Sequence, residues 1–244
     1  MYLDNNGNIY ELINDYFDIK EESISVLEEQ IDNEIQLEYF ECSKSQETIR
    51  SEHDIISDKD LIFDDKVPVD QKKILLVQLA SVSNVEAYRT IEEYLKKPNI
   101  KLFEWAYLAL QECRMLLESK LLEESKILIS TGLGGKGNKL RYFIVFFTGD
   151  GSSFTSLQQE IIKNELHYSF KTIGAEVEDI IFEDRFALVL SIVPIHIPVQ
   201  KLFNRIISEC NEFGEFLFND YIITNLKVLS LDEIREFLAL NNIL

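Results

Sequence analysis

The sequence predicts an α+β chain, with an α-helical region over residues 1–125 followed by a mixed helix-and-strand domain over 126–244. Three observations carry that prediction. Between residues 69 and 119, apolar positions recur at helical spacing. After Glu124 the rhythm changes to short β-rich runs alternating with helices. The formal net charge of −19 is also spread unevenly, residues 1–65 holding 19 acids against Lys20, Lys44, Arg50 and Lys59. At 244 residues and 46% apolar content, the chain can bury a sizeable core. A surface this negative repels phosphate backbones, which argues against nucleic-acid binding and favours a basic protein partner.

From Glu21 to Tyr39, the positions Ile24, Leu27, Ile31, Ile35 and Leu37 fall near helical spacing with acids on the other face, so one amphipathic helix is expected. Ser43 to Asp65 is polar with scattered isoleucines and reads as a loop or linker. Pro68 and Asp70 then open three helices, predicted over 69–82, 84–96 and 100–119; Pro98 ends the second, because proline lacks the donor and clashes with the preceding turn. Trp105, the single tryptophan, is surrounded by Leu102, Phe103, Ala106 and Leu108, and is expected where the helical half packs on the second half of the chain. Leu75, Leu76, Leu79 and Ala80 in one helix, Ala87, Ile91 and Leu95 in its partner, and Leu102, Trp105, Ala106 and Ala109 in the next resemble HEAT-type helical hairpins. That resemblance implies a protein-binding surface and no chemistry.

In the second half, Lys126–Ser130 and Arg141–Phe147 read as strands joined by a glycine-rich loop. Ser156 and Gln159 form a capping box for a helix that Gly174 ends. Val177–Phe182 and Phe186–Val193 read as a hairpin turning at Glu183 to Arg185. Pro198 starts the best amphipathic helix, with Val199, Leu202, Phe203, Ile206, Ile207 and Cys210 on one stripe. Tyr221–Val228 is the last expected strand, and Ser230 with Glu233 caps a terminal helix. From Arg141 the order is β-α-β-β-α-β, that of ferredoxin-like domains, with an extra N-terminal strand and a C-terminal helix. The first strand is central in that sheet, so either the sheet order differs or the strand at 126–130 pairs elsewhere.

The candidate site is the loop around Gly132, Gly134, Gly135, Lys136, Gly137, Lys139 and Arg141, where three cations and no acid lie in flexible backbone. A solvent-facing positive patch there would take an anionic ligand or partner. The spacing Gly132-x-Gly134-x-x-Gly137 fits a dinucleotide fingerprint, but a strand follows where a helix is required, and Asn138 stands where a phosphate-binding loop needs lysine. No GxSxG occurs, and His53, His167 and His196 share no metal-ligand spacing. Tyr142, Phe143, Phe146 and Phe147 could form an RNA-stacking strand, with core packing as the preferred reading. Cys42, Cys113 and Cys210 are odd in number and widely spaced, so reduced thiols are expected, the last two in the core. The opening MYLDNNGNIYELINDYF has no basic or apolar leader region, and no run of apolar residues is long enough to span a membrane, which predicts a cytoplasmic protein. The expected function is a non-enzymatic interaction module that binds a basic partner through its acidic helical half, with no cofactor. The alternative is a phosphate- or nucleotide-binding enzyme using the 132–141 loop.

Overall fold

A computed structural model describes residues 23–46, 50–241 and 243. The chain mixes helix and sheet, as an α+β protein does, and divides into two compact units, Ile19–Ser130 and a second holding Thr131–Leu244.

The first unit is not all-helical. Where one helix was expected over 21–39, strand β1 (Ile24–Val26) comes first and helix α1 (Asn33–Gln46) begins only later. The β-branched Ile24 and Val26 are buried, and β1 pairs in parallel with β2 (Ile127–Ile129), Ile24 opposite Ile127 and Val26 opposite Ile129. A partner strand a hundred residues away, which no local periodicity reveals, decides the conformation here. This pairing also explains why β2 belongs to the first unit, although the periodicity assigns residues 126–130 to the second half as its extra strand.

The expected linker at 43–65 is structured as well. Helix α2 (Glu52–Ser57) is capped by Ser51, whose side chain accepts from the Asp54 amide, and a 3-10 turn (Lys59–Phe63) comes next. Ile55 and Ile62 enter the core from these two pieces, so sparse isoleucines suffice to fix a short polar segment.

Helices α3 (Val69–Ser81), α4 (Val85–Leu95) and α5 (Phe103–Leu122) match the three apolar runs closely. Asn84 caps α4 by accepting from the Glu86 amide, and a 3-10 turn (Ile100–Leu102) delays α5 to Phe103. Trp105, expected where the helical half packs on the second half, is buried in this unit's own core. Its ring meets the edge of Tyr39 at 5.3 Å, and its Nε1 donates to the Lys73 carbonyl at 3.0 Å. A buried indole N–H needs an acceptor, and the nearest helix backbone supplies it.

The second unit is built on an antiparallel sheet. Its strands are β3 (Gly135–Lys136), β4 (Lys139–Phe147), β5 (Glu176–Glu183), β6 (Phe186–Pro194) and β7 (Ile222–Thr224). The order is β3-β4-β6-β5, with β7 on the same side of β4 as β3. The hairpin partner of β4 is therefore 135–136, the strand at 126–130 pairs elsewhere, which is one of the two alternatives the sequence leaves open, and the last strand is three residues long instead of the expected 221–228. Helix α6 (Ser156–Ile173) carries β4 to β5 with β6 lying between them; α7 (Val199–Asn211) carries β6 to β7 across β4. The α6 capping box is Thr155 with Gln158, one residue before the expected Ser156 and Gln159, and Gly174 closes the helix at φ 70°.

Both faces of the sheet are covered. Phe146 packs on Phe203 of α7, which in turn meets Phe170 of α6. On the opposite face Phe143, Val145 and Phe147 pack with Ile234 and Leu238 of α8 (Leu231–Leu240), whose capping box is the expected Ser230 with Glu233. Tyr142, Phe143, Phe146 and Phe147 are all buried, so no aromatic row is open for base stacking.

Candidate functional site

The seven loop residues come together around the β3–β4 hairpin, but the hairpin spends its polar groups internally. Thr131 through Gly135 are buried. The Leu133 amide donates to the Asn225 carbonyl at 3.0 Å and the Gly134 amide to the Thr131 carbonyl at 3.0 Å, so two of the donors a phosphate would need are already used. Gly134 and Gly137 adopt φ of 65° and 62°, which explains glycine at those positions as turn chemistry; Gly137 opens the two-residue hairpin loop before Asn138.

The cations are matched by carboxylates of the edge strand β5. Lys139 Nζ lies 2.8 Å from Glu176 and also donates to the Gly174 carbonyl at 2.7 Å, while Lys136 reaches Glu176 at 3.7 Å. Arg141 forms a two-pronged pair with Glu178 and donates a third hydrogen bond to the Leu133 carbonyl at 2.7 Å. Its side chain is only 15% exposed. The hydrogen bond from Lys139 holds the Glu176 carboxyl below the usual carboxylate range. Lys139 and Arg141 of the expected solvent-facing positive patch are thus held in ion pairs that tie the β3–β4 hairpin to β5, while Lys136 stays 65% exposed. The sequence reading starts this strand at Val177 and so leaves Glu176 outside it; the structure extends the strand to Glu176 and sets both glutamates against the hairpin.

No catalytic set assembles elsewhere among the described residues. His53, His167 and His196 are exposed on separate elements, and among the described residues no group of three His, Cys, Asp or Glu could hold a metal ion. Cys113 and Cys210 are buried, and burial pushes both thiols up to about 12, far from the reactive thiolate range. Ser152 sits in a tight turn, donating from both its amide and its hydroxyl to Asp150. An open groove of about 590 Å³ on the first unit is lined by Glu52, His53, Ile56, Ser57, Lys59 and Asn84, but the Glu52 carboxylate is taken by Asn84 at 2.7 Å and Lys59 pairs with Glu86.

The surface that sequence reasoning missed is the outer face of α1. Its inner face buries Gln36 and Tyr39, with Ile35 and Cys42 packed against the same core. The Tyr39 hydroxyl donates to Glu112, which also accepts from Ser43, and burial together with that carboxylate raises the Tyr39 pKa well above 10. Leu37, expected among the core positions, is 64% exposed and Phe40 is 42% exposed, because the helix starts at Asn33 and turns them outward. Glu34, Glu38 and Glu41 share that exposed side.

No protein-family model matches the chain, and no curated protein matches it either. No helix among the described residues is long and apolar enough to cross a membrane.

Proposed function

We propose that this protein is a non-enzymatic interaction module whose acidic first unit binds a basic protein partner. The observation that carries this reading is the acid excess of the first unit's opening segment, set beside the paired cations of the 132–141 loop. In the second unit, the cations of the 132–141 loop face carboxylates of β5. In the described part of residues 23–65, twelve acids stand against Lys44, Arg50 and Lys59. Such an excess is a long-range attractor for positive charge, felt as faster association and steep salt dependence.

The finer architecture belongs to the same reading. A HEAT-like arrangement is supported by α3 and α4, joined by a short turn and both packed on α5. A ferredoxin-like second unit is supported by the order β7-β4-β6-β5 with helical crossovers that each skip a strand. The enzyme alternative has less support, since Lys139 and Arg141 already have anionic partners.

The test is titration of the full chain with a lysine-rich polypeptide at low and at high ionic strength. Binding that weakens at least about tenfold between roughly 20 and 300 mM salt, and that is lost when Glu29, Glu34, Glu41, Asp64 and Asp65 are changed to their amides, supports the reading. The reading falls if the polypeptide is not bound at the lower salt concentration, or if the five amides change nothing.

A further inference from the structure

We infer that the outer face of α1 is the docking strip, and that its occupant is a basic amphipathic helix of the partner. The inference rests on the reading above and narrows it to one surface. An α-helix advances about 100° per residue, which puts Phe40 and Leu37 on one shoulder of the exposed side and Glu41, Glu34 and Glu38 on the other. The strip therefore sets Leu37 and Phe40, with exposed Lys44 between them, beside a row of three acids, so that acids outnumber cations on it three to one.

Its charge is available. Glu38 reaches Lys73 of α3 at 2.8 Å, but the Glu34 and Glu41 carboxylates pair with no cation among the described residues. Two exposed large apolar side chains beside unmatched carboxylates suit a helix with leucine-like anchors at i, i+3 and i+4 and with Lys or Arg flanking them. A flexible, fully charged polypeptide would leave Leu37 and Phe40 wet.

The experiment measures binding of two fluorescent peptides of leucine and lysine, each about 18 residues or five helical turns long, to the full chain. One is patterned as an amphipathic helix; the other has the same composition scrambled. The patterned peptide is expected to bind at least about tenfold more tightly than the scrambled one. Leu37→Ser with Phe40→Ser should remove that preference, and Glu34→Gln with Glu41→Gln should weaken both peptides and flatten the salt dependence. The side chains changed are surface groups, so far-UV circular dichroism and melting should match the parent, which separates lost docking from lost folding. Equal binding of the two peptides, or an unchanged preference in the serine variant, overturns the strip while leaving the broader acidic-surface reading standing. Binding of neither peptide at low salt overturns both.

Discussion

The β3–β4 hairpin of the second unit and helix α1 of the first treat charge in opposite ways. Around β5 of the second unit, Glu176 and Glu178 face Lys136, Lys139 and Arg141 across the sheet, so two of the three positive charges of a segment that looks strongly cationic in the letters are offset in space. On α1 of the first unit, acids of the same kind point outward beside Leu37 and Phe40. A run of like charges in a sequence therefore says little about surface field until the strands and helices that face it are known.

The largest effect expected from breaking this contrast is Arg141→Ala. It leaves Glu178 without its two-pronged partner and the Leu133 carbonyl without a donor, at a cost of about 2 kcal/mol after allowance for partial solvent access. Urea unfolding followed by circular dichroism should show it. A loss below about 0.5 kcal/mol would mean that the pairs contribute no more than ordinary surface salt bridges.

Next comes Tyr39→Phe, which removes the hydroxyl donated to Glu112 in the first unit and should cost about 1 kcal/mol. Trp105 is the single tryptophan and touches Tyr39, so its fluorescence reports this unit specifically. The same probe should be silent to Arg141→Ala if the two units unfold independently. A cap substitution sharpens the second unit further: Thr155→Ala should cost about 1 kcal/mol, whereas Ser156→Ala should cost a few tenths, and the reverse order would restore the register read from the letters.

Acid should weaken the paired carboxylates of the second unit. Lys227 and the Ser230 amide lower Glu233 from 4.5 to about 2, and Lys139 lowers Glu176. A carboxyl whose pKa is depressed by folding binds fewer protons when folded. Its contribution is therefore complete above about pH 4.5 and lost as the pH falls toward 2. Melting of Glu233→Gln should be less acid-sensitive than that of the parent over this window. The smallest effect is predicted for Glu34→Gln with Glu41→Gln, which should change stability by less than about 0.5 kcal/mol because those carboxylates have nothing folded to lose. A larger drop would show that they serve the fold and not a partner.

Much of the fold was legible because it is local. The six-residue stripe on α7 from Val199 to Cys210 is wholly buried, the Ser230–Glu233 cap forms, and the borders of α3 and α4 fall within a residue of the apolar runs. The short β1 and β3 were not legible, since the spacing of Ile24, Leu27 and Ile31 also suits a helix and two residues of β3 cannot display a period. The candidate site was half legible. Its glycines mark real turns at Gly134 and Gly137, but the partners that neutralise its cations lie 37 residues onward on a strand two places away in the sheet.

Alone, the sequence determined where apolar side chains repeat and where helices can start, because caps and periodicities act over a few residues. Only the tertiary structure decided that Ile24–Val26 is a strand, that Arg141 is a tie and not a docking point, and that Leu37 faces water. Each of those outcomes depends on the energy of a contact with a distant segment, and a contact has no value until chain folding brings both halves together.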